Sequence, residues 1–175
     1  MTNVSGSEIY LAIGSNLGTP LDNLRRGVQR IEALLGVSVQ CSSPWLTTPL
    51  DCPAGSPPFA NAALRFSRTP HLDPLALLDT CQRIEVELGR EPKKVLNEAR
   101  PLDLDIIDFG QLPLNSERLI LPHPRAHERF FVLAPLVELC PQLVLPGHDK
   151  TVKEYFRACP TDSQAKRVSP FDWNS

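Results

Sequence analysis

The chain has 175 residues, 42% hydrophobic and 22% charged, with a formal net charge of −2. That is long enough for one domain with a real core and short for two. A charge so near zero gives no general pull on nucleic acid or an anionic membrane, while leaving room for a local basic pocket that holds a small anion. No run approaches the ~20 apolar residues of a membrane span, and no basic segment followed by an apolar stretch marks a signal peptide.

Proline is the outlier, because 18 residues is roughly double its ordinary share. A residue with fixed φ and no N–H predicts long, pre-shaped loops between short elements, and such loops often carry sites. The five cysteines, Cys41, Cys52, Cys81, Cys140 and Cys159, are odd in number and contain no Cys-x-x-Cys pair. They read as reduced thiols of a cytoplasmic protein.

In chain order, Ile9 to Ile13 is a short apolar run ending at Gly14, which suits a buried strand. Gly14-Ser-Asn-Leu-Gly18 lacks the pattern of a dinucleotide or Walker loop and reads as a tight turn between strand and helix. Thr19-Pro20 starts a helix with threonine as N-cap; Leu21, Leu24, Val28, Ile31 and Leu35 form its apolar face, and Gly36 ends it. Strands are predicted over 37–45 and 60–66, separated by a proline-rich loop over 47–58. Asp73-Pro74 opens a second helix that closes at Gly89. A charged, aperiodic stretch over 89–100 reads as a mobile loop. A strand over 102–109, a short strand over 119–121, a buried helix over 131–139 and a short helix over 151–158 follow, and the last dozen residues read as frayed. Strand, helix, strand, strand, helix, strand is the split βαβ order, so the expected fold class is α+β: a mostly antiparallel sheet with helices packed against it.

Leu102-Asp-Leu-Asp-Ile106 alternates strictly. On a strand Asp103 and Asp105 share one face, about 6.6 Å apart along the chain. Paired carboxylates at that spacing can flank hard cations, which sit ~3.5–4 Å apart in phosphoryl-transfer sites, and oxygen ligands suit magnesium. An ordinary polar sheet face is the other reading. It accounts easily for one aspartate and less easily for two that repel.

Arg90, Lys93, Lys94 and Arg100 precede this strand, and Arg118, His123, Arg125, His127 and Arg129 follow it. Cations converging on metal carboxylates are what a polyphosphate needs, although a solvated surface explains most of them singly. His71, His127 and His148 read as structural or exposed. Phe59 and Asn61 offer a stacking face and a planar donor–acceptor pair suited to a flat heterocycle, or simply a strand start.

Ala12-Ile-Gly-Ser-Asn-Leu-Gly18, Thr48-Pro49, Phe59-Ala-Asn-Ala62, Arg100-x-Leu-Asp-Leu-Asp-Ile106, Phe109-Gly110 and Pro122-His123 through Arg129-x-Phe131 occur in one order. Together they strongly resemble the 6-hydroxymethyl-7,8-dihydropterin pyrophosphokinase family of folate biosynthesis, from about residue 8 to residue 147. The resemblance implies one ferredoxin-like domain over 1–175, with 148–175 as a C-terminal extension, and transfer of pyrophosphate from MgATP to a pterin hydroxymethyl group, releasing AMP. By position it places two Mg²⁺ on Asp103 and Asp105. It puts the pterin against Thr48, Phe59, Asn61 and Phe131, and ATP against Gln82, Glu85, Arg118, His123 and Arg129. Arg90 and Arg100 stabilise charge during transfer. The implied partners are small molecules, with neither nucleic acid nor membrane, and the implied state is a monomer.

The chain departs from the family pattern at three places. Asn97-Glu-Ala-Arg-Pro101 stands where many relatives have Trp-Gly-Pro-Arg-Thr, Pro92 stands where a second arginine is common, and Phe59 replaces a frequent tyrosine. A metal-dependent phosphodiesterase or nuclease, and a non-catalytic pterin- or nucleotide-binding module, are the competing functional readings.

Overall fold

The computed structural model describes residues 7–92 and 98–175. Lys93, Lys94 and Asn97 therefore lie outside the described residues. Strand β1 (Glu8–Ser15) runs into helix α1 (Pro20–Leu35), then β2 (Gln40–Cys41), β3 (Trp45–Thr47) and β4 (Phe59–Ser67). Helix α2 (Pro74–Glu87), β5 (Asp103–Phe109), a hairpin of β6 (Leu114–Asn115) and β7 (Ile120–Leu121), helices α3 (Phe130–Leu139) and α4 (Val152–Ala158), and β8 (Lys166–Arg167) follow. The main sheet has the order β5-β1-β4-β3-β8, with β2 also on β4, and every pairing is antiparallel. Two β-α-β halves interleaved in this way give the ferredoxin-like α+β fold.

Alternation along the central strands sorts their side chains onto two faces. Ile9, Leu11 and Ile13 of β1, Leu64 and Phe66 of β4, and Leu104 and Ile106 of β5 pack with α1 and α2. Tyr10, Ala63 and Ile107 face the other way, onto Val132, Leu133 and Leu136 of α3. The alternation in β5 slips once. Tyr10 pairs with Asp108 and Leu11 with Ile106, which leaves Ile107 as an extra residue. Ile107 faces the second core by ordinary alternation, and the bulge returns Phe109, which would otherwise follow it, to the first. Asp103 and Asp105 precede the bulge and keep their common face.

The helix starts differ in mechanism. In α2 the Asp73 carboxylate accepts from the N–H groups of Leu75 and Ala76, with Pro74 behind it. In α1 the Thr19 side chain makes no capping hydrogen bond, contrary to expectation. Asn23 instead donates to the carbonyl of Leu17 and to Ser15 Oγ, tying the helix to the preceding turn. The single strand expected over 37–45 is two short pieces. Ser42 enters the ladder through its hydroxyl, which accepts from Ala63 N–H, and Pro44 has no N–H to continue it.

The C-terminal residues are not frayed. Strand β8 pairs with β3, Val168 N–H donates to the carbonyl of Pro44, and Trp173 packs against the first core. Arg25 of α1 lies over the Phe171 ring and donates to the carbonyl of Asp172.

Candidate active site

The carboxyl end of β1, the start of β4 and the start of β5 meet at one end of the sheet and open into a cavity of about 800 Å³. Its two halves differ in chemistry.

One half is flat and apolar with an amide in it. Phe59 and Phe131 line it together with Asn61, Thr47, Thr48 and the loop residues Leu50 to Cys52. The Asn61 amide nitrogen donates to Thr47 Oγ1 at 2.7 Å, which fixes the plane of the amide. On the far side Gly14 makes the room: a Cβ there would stand 2.7 Å from Asn61 Oδ1.

The other half is charged. Asp103 Oδ1 accepts from Arg90 at 3.0 Å and from Arg100 at 3.3 Å. Arg90 also pairs with Glu85 at 2.6 Å, and the second oxygen of Glu85 accepts from Leu104 N–H at 2.8 Å. Glu85 lines the cavity and is at the same time a buried post between α2, β5 and Arg90. Burial pushes its carboxyl up to about 7, against the pull of the Leu104 N–H and Arg90. Asp105 is also raised, by burial and then by the charge of Asp103, while Arg129, Arg100 and Arg90 draw it down.

Asn16, missed as a site residue although it lies in the turn after β1, holds Arg100 by the backbone. Its Oδ1 accepts from Arg100 N–H, its own N–H donates to the Arg100 carbonyl, and its amide donates to the carbonyl of Pro57. In sequence it is an asparagine in a short βα turn, a residue type ordinary there, so nothing local marks its hold on Arg100. Burial, and then the nearby charge of Arg129, lower the His123 imidazole below its ordinary range. Because Nδ1 accepts from Arg125 N–H, the ring proton sits on Nε2.

Gln82, Arg129 and Pro92 also line the cavity. Arg118 does not. Its guanidinium pairs with Asp79, on the helix whose Leu78 and Gln82 line the cavity wall. His127 and His148 lie in a ring cluster with Tyr155, where the expected structural role is accounted for.

A divalent cation fits this donor set. No group of three or more His, Cys, Asp or Glu among the described residues could hold a metal alone, so an ion held by Asp103 or Asp105 would need phosphate oxygens and waters to complete an octahedral shell. Buried Nε atoms of Arg100 and Arg129 have no hydrogen-bond partner among the described residues. Orphaned guanidinium donors beside two carboxylates suit an anion that arrives with its metal.

The sequence profile of the family described as 7,8-dihydro-6-hydroxymethylpterin-pyrophosphokinase (HPPK) matches residues 10–141. The chain belongs to this family. Among curated members, the 2-amino-4-hydroxy-6-hydroxymethyldihydropteridine pyrophosphokinase of Haemophilus influenzae is 41% identical over 139 residues, spanning 79% of this chain and 84% of the relative. The protein of the same name from Pseudomonas aeruginosa is 38% identical over 153 residues, spanning 87% and 91%. Among solved structures, an HPPK-DHPS in complex with substrates superposes with a TM-score of 0.66 at 13% identity, over 87% of this chain and 42% of that one. At that identity the likeness speaks for the HPPK fold alone.

Proposed function

We propose that this chain transfers the pyrophosphoryl group of ATP to the hydroxymethyl oxygen of 6-hydroxymethyl-7,8-dihydropterin, releasing AMP, as a step of folate biosynthesis. The observation that carries this reading is the juxtaposition, within one cavity, of an aromatic–amide half and a carboxylate–arginine half. The first takes a flat heterocycle between Phe59 and Phe131, its amide edge on Asn61 and Thr48. The second takes a polyphosphate.

In the reaction the hydroxymethyl oxygen forms a bond to the β-phosphorus, the bond from that phosphorus to the AMP oxygen breaks, and the hydroxyl proton is lost to water. Such transfers need alignment and charge neutralisation more than covalent help. Arg90 and Arg100 stand at Asp103 and meet charge on the transferring group. Arg129 and the Nε2–H of His123 hold phosphate oxygens, and Gln82 lies on the nucleotide side. Arg118 joins them by exchanging Asp79 for the nucleotide, and Glu85 serves by holding Arg90. Two Mg²⁺ on Asp103 and Asp105 supply charge neutralisation and a template for the phosphates when bound. We further read the chain as one domain with residues 148–175 as its extension, acting as a cytoplasmic monomer on small molecules. In the structure, no helix among the described residues is long and apolar enough to cross a membrane.

One assay tests the reading: purified protein with ATP, Mg²⁺ and the reduced pterin, nucleotide products resolved. AMP that appears only with pterin is expected. ADP, or nucleotide hydrolysis independent of pterin, would overturn it in favour of a phosphohydrolase using the same aspartates.

A further inference from the structure

The proline-rich loop that walls the aromatic half begins at Thr48 and is exposed along much of its length. Something must hold its first residue, because the short strand β3 ends at Thr47 and Thr48 lies just beyond its ladder. The holder comes from the C-terminal extension, 114 residues further along the chain. Asp162 Oδ2 accepts from Thr48 N–H at 2.8 Å and from Thr48 Oγ1 at 2.9 Å.

The aspartate is itself braced. Its other oxygen accepts from Gln164 N–H, its carbonyl accepts from Ala165 N–H, and β8 directly beyond is hydrogen-bonded to β3. The extension thus closes a circuit: β3 to Thr48, Thr48 to Asp162, Asp162 through β8 back to β3. Next to the clamp, Thr47 Oγ1 receives the amide of Asn61. Adjacent residues therefore set the two polar groups of the pterin pocket.

We propose that Asp162 is a positioning and specificity-determining residue for the pterin, acting through Thr48. The chemistry goes beyond anchoring. A hydroxyl has one proton and two lone pairs, and Asp162 takes that proton. Thr48 then faces the cavity as an acceptor only, matched to the N–H donors along the amide edge of a pterin and mismatched to a ring that presents carbonyl or aza acceptors there. This inference rests on the pterin assignment of the pocket given above.

The test uses the full-length protein, with steady-state kinetics in which pterin and MgATP are varied separately. In Asp162→Asn the remaining oxygen stays on Gln164 N–H and an NH₂ faces Thr48 N–H, donor against donor. The expected result is a rise of about tenfold in the KM for pterin. The KM for ATP and kcat should stay within about twofold, and any fall in melting temperature should leave the protein fully folded under assay conditions. Thr48→Val and the double variant Asp162→Asn/Thr48→Val complete a cycle, in which the pterin effects should be strongly non-additive.

Asn61→Ala serves as the control on the pocket. If it weakens pterin while Asp162→Asn does not, the positioning role is overturned and the pocket assignment stands. If Asn61→Ala leaves pterin KM unchanged, the pocket assignment itself fails and takes this inference with it. Equal rises in both KM values with a lowered melting temperature, or additive effects in the cycle, would reduce Asp162 to a structural strut and overturn the proposal.

Discussion

Gly14 of β1 and Asn61 of β4 are register partners, and only the absence of a side chain on Gly14 leaves space for the Asn61 amide. A methyl group there would stand 2.7 Å from Oδ1. Gly14→Ala should therefore push the amide away from Thr47 rather than shift two paired central strands. Its KM for pterin should rise about tenfold, and folding should lose about 1–2 kcal/mol. Substrate-dependent initial rates and a urea titration check both halves. A variant with the pterin KM of the parent would mean that Asn61 does not read the substrate.

Asp103 and Asp105 differ in what they support, so their variants should separate. Asp103 accepts from two arginines, whereas Arg129, Arg100 and Arg90 act on Asp105 through charge. Asp105→Asn should abolish turnover, by about 10³ or more in kcat, while the metal-free protein melts at or above the parent temperature, because a like-charge pair is relieved. Asp103→Asn should match it in activity but lose about 1 kcal/mol of stability, since two guanidinium groups lose a charged acceptor. Calorimetric titration with Mg²⁺ and a non-hydrolysable ATP analogue separates lost metal affinity from lost folding.

The strand carrying these aspartates was legible because strict alternation of Leu102, Leu104 and Ile106 with Asp103 and Asp105 has one meaning on a sheet. Its bulge at Ile107 was not, because Ile-Ile-Asp-Phe is equally compatible with an unbroken strand; the slip shows only in pairing with Tyr10 and Leu11. Cavity-lining arginines were visible as a cluster in sequence, but the division of labour among them was not. Glu85 has the spacing of a helix-face carboxylate, yet its partner Leu104 N–H lies on another element 19 residues away. Arg118 looks like its neighbours in sequence and is drawn off by Asp79. Asn16 and Asp162 act on loops distant in sequence, and no local pattern announces such partners.

The raised carboxyls give a pH signature of opposite sign to an ordinary salt-bridged protein. Glu85 titrates near 7 in the fold, and Asp105 is raised as well, whereas both groups titrate near 4 in an unfolded chain. Between those values the folded state binds more protons, so stability present at about pH 4 is lost as pH rises toward 7. Glu85 alone accounts for on the order of 3 kcal/mol of that loss between about pH 4 and pH 7. Thermal melts of the ligand-free protein should show the decline, and Glu85→Gln should flatten it. Mg²⁺ with an ATP analogue should stabilise the protein more at pH 7.5 than at pH 5, because the metal needs Asp105 ionised. Melting temperatures that rise with pH in the ligand-free protein would contradict the whole scheme.

The C-terminal residues make the last prediction, because their sequence is polar and reads as a frayed end while the structure uses it as a strap. Trp173 packs against the first core, and its indole N–H donates to the carbonyl of Ser42, the residue at which the expected β2–β3 strand breaks. Phe171 stacks edge-on against Trp173 and carries Arg25 of α1 on its face. The segment therefore adds a second join between α1 and the chain at Ser42, beside the hydrogen bond from Val39 N–H to the Glu32 carboxylate. Removing residues 169–175 leaves Asp162 and β8 in place, so it isolates this join from the clamp on Thr48. The shortened protein should lose about 2–3 kcal/mol while retaining the pterin KM of the parent, and Trp173→Ala should account for most of the loss. Denaturant midpoints and pterin kinetics measured side by side decide it. Full stability in the shortened chain would return these residues to the frayed end that their composition suggests.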